Sequence, residues 1–240
     1  MKTLSKISAV SITLLAFNAF GSTINISTVY DNSQFSVAPG STDLIQGETA
    51  VVTGTQLLGW EGMSSNAAVL TDGVIGTPWP SNNYPNPQSS IVTIGSGSVL
   101  TYSLGNSASG YTISSIDSYA EWRDPGRSAQ EYVISYSLAS APSNFINLYT
   151  VNSGNNGNYD TADAITASAG ALISGVADIR FTFDTEQNGY VGYSELIVNG
   201  SQTVPEPASI ALLFAGVLGF VATRRKNQGY LNSLPRVYLA

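Results

Sequence analysis

The sequence predicts an all-β domain, an antiparallel sandwich or jelly roll, with hydrophobic helices outside it at both ends. Three observations carry this. Between Thr23 and Gln202, short segments alternate apolar and polar residues with a period of two. Turn-rich stretches separate them, at Pro80–Ser90, Asn152–Asp160 and Asp184–Gly192. Helix-period patterning is hard to find over the same span. Only the Ala-rich run Thr161–Gly175 reads as one short helix.

The N-terminus opens with Lys2 and Lys6 and then stays mostly apolar from Ile7 to Phe20. Ala19 and Gly21 place small residues three and one before a cut ahead of Ser22. This order predicts a secretory signal peptide over residues 1–21, removed by signal peptidase. Residues 22–203 form the body. Ile91–Ile94 is a strand candidate, and Gly95-Ser96-Gly97 after it reads as a hairpin turn. In Val99–Leu104 the residues Leu100, Tyr102 and Leu104 share one face. Tyr132, Ile134, Tyr136 and Leu138 do the same against Val133, Ser135 and Ser137. Phe145–Val151 follows, then Ile179, Phe181 and Phe183 opposite Arg180 and Thr182, then the short run Leu196–Val198. Val198–Pro207 reads as the linker out of the body.

The segment Asp184–Glu195 nearly spells an EF-hand loop, with oxygen side chains at positions one, three and five, Gly at six and Glu at twelve. An EF-hand needs a helix on each side, and both flanks here are strand-like. The segment is therefore expected to be a Gly-containing turn between two antiparallel strands.

Composition excludes several chemistries. There is no cysteine and no histidine. Disulfides, Ser-His-Asp catalysis and zinc sites built on Cys or His are ruled out with them. Between Ser22 and Thr203 stand fifteen acids and only three basic residues, Arg123, Arg127 and Arg180. Such a balance repels phosphates and argues against nucleic acid as a partner. It suits neutral or cationic partners, or bound cations.

Beyond the body come Val204-Pro205-Glu206-Pro207, an uncharged apolar run of 15 residues from Ala208 to Ala222, and Arg224-Arg225-Lys226. The run is short of the roughly 20 residues that cross a bilayer squarely, and the basic end acts as a stop. These parts, in this order over 204–226, resemble the PEP-CTERM sorting signal of Gram-negative bacteria. The resemblance implies a transient inner-membrane hold by the 208–222 helix and recognition and cleavage by an exosortase. It also implies delivery to the cell surface or to extracellular polysaccharide. A permanent anchor is the alternative. Unlike that pattern, this chain continues through residues 227–240.

A second resemblance runs from Leu70 to Gly200. Leu70-Thr71-Asp72-Gly73 with Thr77-Pro78-Trp79, then Gly126–Ser137, then Ala177–Phe183 and Gly189–Gly200, are similar in order and spacing to a discoidin or coagulation-factor C-type domain. The resemblance implies a galactose-binding-like jelly roll, with residues 23–69 adding a first strand or an extra hairpin. It also implies one structural calcium held by Asp72, Thr77 and Glu195. Val74 stands where that pattern often has Asn. The alternative is a turn residue at Asp72 and a surface carboxylate at Glu195.

Sugar binding needs exposed aromatic faces with polar groups beside them. The candidates in predicted loops are Trp79, Tyr84, Trp122 with Arg123, and Tyr190; core or rim packing is the alternative for both tryptophans. Glu121, Asp124 and Asp117 are the acids a carboxylate-only glycosidase would use. The sequence as a whole points to a non-catalytic exported protein binding or decorating extracellular polysaccharide. A structural matrix protein without a defined ligand is the second reading, and the glycosidase the third.

Overall fold

The structure, a computed structural model, describes residues 23–204 apart from 32–34, 36–39, 41, 55–56, 58, 60–62, 76–89, 124–126, 155–158 and 185–188. Ten strands follow one another: β1 (Ile24–Asp31), β2 (Val51–Gly54), β3 (Val92–Gly95), β4 (Ser98–Ser103) and β5 (Tyr111–Ala120). They continue as β6 (Glu131–Leu138), β7 (Ala141–Asn152), β8 (Asp160–Ala167), β9 (Ile173–Phe183) and β10 (Tyr190–Gln202). Among the described residues a 3-10 turn, Ala67–Thr71, precedes β3. The expected hydrophobic helices, the signal peptide and the sorting tail lie outside the described residues. Among the described residues no helix is long and apolar enough to cross a membrane.

The pairings sort into two layers, β3-β10-β5-β8-β1 and β2-β4-β9-β6-β7, every pair antiparallel. They touch along one seam, where Tyr111 and Ile113 of β5 pair with Val176 and Ile173 of β9. Gly110 enters that seam at φ 69°, and a Cβ there would stand 2.4 Å from the Gly175 carbonyl carbon, so only glycine fits. The core lies between the layers. Tyr132 of β6 meets Phe181 and Phe183 of β9 and Tyr193 of β10, and Phe183 meets Tyr193 with ring centroids 4.9 Å apart. A buried polar net crosses the same gap. The Tyr132 hydroxyl and Ser118 Oγ are 2.7 Å apart, Ser118 donates to Gln130 Oε1, and Gln130 Nε2 donates to the Thr161 carbonyl at 3.1 Å. Bonded to one another, these groups offset the cost of their own burial and fix the facing of the layers.

The period-two faces of β4 and β9 came out as expected; in β6 the pattern holds through Ile134, beyond which Ser135 and Ser137 are buried and Tyr136 and Leu138 only partly so. Leu100 and Tyr102 are buried while Val99 and Thr101 are not. Tyr132, Ile134 and Tyr136 stand opposite Phe183, Phe181 and Ile179. Four readings need correction. Thr161–Gly175 is not a helix: it is β8, a turn and the start of β9. Thr161, Asp163 and Ile165 of β8 are buried by pairing with β1 and β5, and that pairing outweighs the alanines' helix preference. Of residues 23–69, the expected first strand is present as β1 at the edge of one layer, and β2 edges the other. Gly95-Ser96-Gly97 is not a hairpin turn but leads from one layer to the other, since β3 does not pair with β4. The strands before and after 184–189, β9 and β10, do not form a hairpin pair either. Finally, Val198–Gln202 belongs to β10 rather than to a linker.

Candidate functional site

Of the aromatic candidates, Trp122 and Tyr190 meet beyond the end of β5. Beyond Ala120 the chain places Trp122 inside, 1% exposed, in a small cluster with Met63, Ile91 and half-buried Tyr190. Its indole needs Gly192, where a Cβ would stand 2.7 Å from Trp122 Cβ and 3.0 Å from Ile91 Cγ2. The Arg127 guanidinium covers the ring at 4.3 Å from its centroid, a cation–π contact. Trp122 therefore offers no face to a sugar: the predicted ligand residue is a packing residue. Tyr190 lies against Gly95, where a Cβ would come within 2.7 Å of its ring. Arg123 is committed to Asp160, with Nε and Nη2 both 2.7 Å from Asp160 Oδ2. Trp79 and Tyr84 fall outside the described residues.

Next to this cluster are two buried carboxylates. Glu121 Oε1 accepts from the Phe35 N–H at 3.4 Å, while Glu121 Oε2 and Asp160 Oδ1 have no hydrogen-bond partner among the described residues. Burial, then the charge of Asp160, pushes the Glu121 carboxyl up to about 8. Burial pushes Asp160 up to about 6 against the pull of Arg123. Asp117 is held by Asn199 Nδ2 at 3.1 Å and Ser115 Oγ at 3.3 Å. Asp124 lies outside the described residues. A glycosidase acid must reach its substrate, and Glu121 is fully buried.

The predicted ion residues behave differently. Asp72 caps the 3-10 turn and accepts from the Val74 N–H at 2.8 Å, and the next residue, Gly73, donates its N–H to Glu195 Oε1 at 3.3 Å. Residues 122 apart in sequence thus meet, and Asp72 and Glu195 stand together. Glu195 is fully buried, and its Oε2 has no hydrogen-bond partner among the described residues. Burial, then the Asp72 charge, pushes its carboxyl up to about 8. A buried carboxylate beside a second acid, with an oxygen to spare, is a donor set that fits a hard cation. Among the described residues no group of three or more Asp, Glu, His or Cys could hold a metal. Further oxygens would come from backbone carbonyls or from Thr77, which lies outside the described residues.

Asp43 was not anticipated. Its Oδ1 accepts from the N–H groups of Ile45, at 3.1 Å, and Val198, at 3.0 Å, and its charge also raises Glu195. It ties the segment before β2 to β10. The legible signal was local: Gly40-Ser41-Thr42-Asp43 ahead of Leu44-Ile45 is a polar turn whose Asp bonds the backbone two residues on.

Residues 203–226 match the PEP-CTERM protein-sorting motif. No curated protein matches the chain. Among solved structures it is similar to the family 32 carbohydrate-binding module of Clostridium perfringens NanJ in complex with galactose, at 16% identity and a TM-score of 0.42 over 64% of this chain and 96% of that one. A second Clostridium perfringens family 32 module, in complex with GalNAc-β-1,3-galactose, matches at 17% identity and TM-score 0.42, over 62% and 94%. The F5/8 type C domain of a Bacteroides fragilis protein matches at 13% identity and TM-score 0.41, over 65% and 97%.

Proposed function

We propose that the chain is an exported, non-catalytic protein that binds or decorates extracellular polysaccharide at the surface or in the matrix of a Gram-negative bacterium. An exosortase-type enzyme sorts it after signal peptidase has acted, and the 208–222 run holds it transiently in the inner membrane. The observation that carries this reading is the sorting motif at 203–226, which begins one residue after β10 ends at Gln202. A folded sandwich presented directly before a disposable tail suits a protein delivered whole. The burial of Glu121 speaks against a glycosidase. The test is the full chain expressed with and without an exosortase. Its intact mass is expected to lose both termini only when the enzyme is present, and a glycan array is expected to show saturable binding that Trp79→Ala weakens. An uncut tail overturns the sorting, and a blank array overturns the binding. The packing of Trp122 and the pairing of Arg123 favour the second reading, a matrix protein without a defined ligand, and that reading predicts the blank array.

We also propose that Asp72 and Glu195, with Thr77, hold one structural calcium that fastens the start of the domain to its last strand. Bound there, the ion supplies the countercharge a buried Glu195 lacks. At about 100-fold excess over Kd it adds about 2.7 kcal/mol to folding. The melting temperature is expected to fall when a chelator is added. Glu195→Gln should abolish that response while leaving the ion-free protein at least as stable. An unchanged melting temperature with chelator removes the ion.

A further inference from the structure

Across β1, β8 and β5, the register lines up two rows of residues. Ser27 stands opposite Ala164, which stands opposite Asp117. Val29 stands opposite Ala162, which stands opposite Tyr119. In both rows the middle strand contributes only a methyl group, so the outer face of this layer sinks along β8. Val29 and Tyr119 rise on either side. Phe35 closes the depression, its ring meeting the Tyr119 ring edge-on at 5.7 Å between centroids. Together these residues line a groove of about 360 Å³.

Its charged groups are all of one sign. Asp31 and Asp117 present their carboxylates to it, and no Arg or Lys is among the described residues that line it. Asp117 is oriented by Asn199 and Ser115. Ser27 is exposed at the rim.

We propose that this groove is a saccharide site selective for sugars bearing protonated amino groups, with a ring of the ligand lying against Tyr119. The volume is that of a small-molecule cleft, and an aromatic wall beside fixed acceptors is what a polyhydroxylated ring needs. Charge narrows the choice. An anionic sugar meets two aspartates, Asp31 and Asp117, and is repelled. A purely apolar ligand would strip water from carboxylates without pairing them. A neutral sugar gains hydrogen bonds only, whereas an ammonium makes charge-assisted ones, which are roughly twice as strong. The surplus of acids over the whole body adds long-range attraction for a cationic polymer. The inference rests on the polysaccharide-binding reading and gives it a location and a preference in charge.

The test is calorimetric titration of the full-length chain, in mild detergent, with a glucosamine tetramer, its N-acetylated counterpart and a cellulose tetramer. The glucosamine tetramer is expected to bind about tenfold or more tightly than the other two and to weaken as salt rises. Ser27→Trp, a change at an exposed position, is expected to fill the groove and remove binding without moving the melting temperature. Asp117→Asn is expected to weaken binding by about tenfold. Equal affinity for the three tetramers overturns the charge preference. Undiminished binding by Ser27→Trp overturns the location, while the polysaccharide reading stands on the binding that remains. No binding of any tetramer by the unaltered chain overturns the groove; a blank glycan array besides would take the wider reading with it.

Discussion

Trp122→Ala is expected to lower the free energy of unfolding by about 3–5 kcal/mol, the range for a buried large aromatic cut to a methyl. The indole fills the space between Met63, Ile91 and Tyr190, and Gly192 leaves no side chain that could swing in to replace it. Arg127 would also lose the ring it covers. Domains of this kind are stable by only about 5–15 kcal/mol, so the variant should show a urea midpoint far below that of the parent. A surface stacking residue gives the opposite pattern, with near-unchanged stability and lost sugar affinity. A stability change under about 1 kcal/mol would show that the indole is not packed as described.

The second large effect is expected from pH. Glu121 passes from 4.5 in the unfolded chain to about 8 in the fold, chiefly because burial disfavours its charge. A carboxyl with a raised folded pKa binds its proton more tightly when folded. Its contribution to stability is therefore complete below 4.5 and is lost as pH rises through about 8. Asp160 adds a smaller loss that is over once the pH has risen through about 6. Between pH 4.5 and 8.5 the Glu121 contribution is of the order of 3–5 kcal/mol. Without divalent ions, urea titrations across this range should show stability falling steadily, with Glu195 adding a parallel decline. Glu121→Gln is expected to remove its own share and to be more stable than the parent at pH 8. An unaltered slope in that variant would mean that Glu121 keeps its charge in the fold.

How much of this was legible in the chain depended on how many faces each strand buries. β4, β9 and β6 as far as Ile134 bury one face with large side chains, so alternation announced both their existence and their orientation. β10 is buried from Val191 through Val198, and a strand covered on both sides has no alternation to read; only Leu196–Val198 stood out. β8 was misread because its outward residues are alanines, and those same alanines make the groove floor. The meeting of Asp72 with Glu195 followed from where those residues fall in a resembling pattern. Asp43 did not, because its partners on β10 are remote in sequence. Trp122 looked like a loop residue between Glu121 and Arg123. Its burial depends on Gly192 and Arg127 arriving from elsewhere, which local sequence does not reveal.

The last strand also determines how the protein would carry a load. β10 runs from Tyr190 to Gln202, paired with β5 from Tyr193↔Ala120 to Gln202↔Tyr111, and the sorting segment starts at 203. When the tail is held and the body is dragged along the strand axis, tension enters at Gln202 and spreads along this ladder. Its hydrogen bonds lie across the pull, so they must slip together rather than peel one at a time. Among the described residues β10 is the longest strand, so a pull entering at Gln202 along its axis would be shared over the whole β10–β5 ladder.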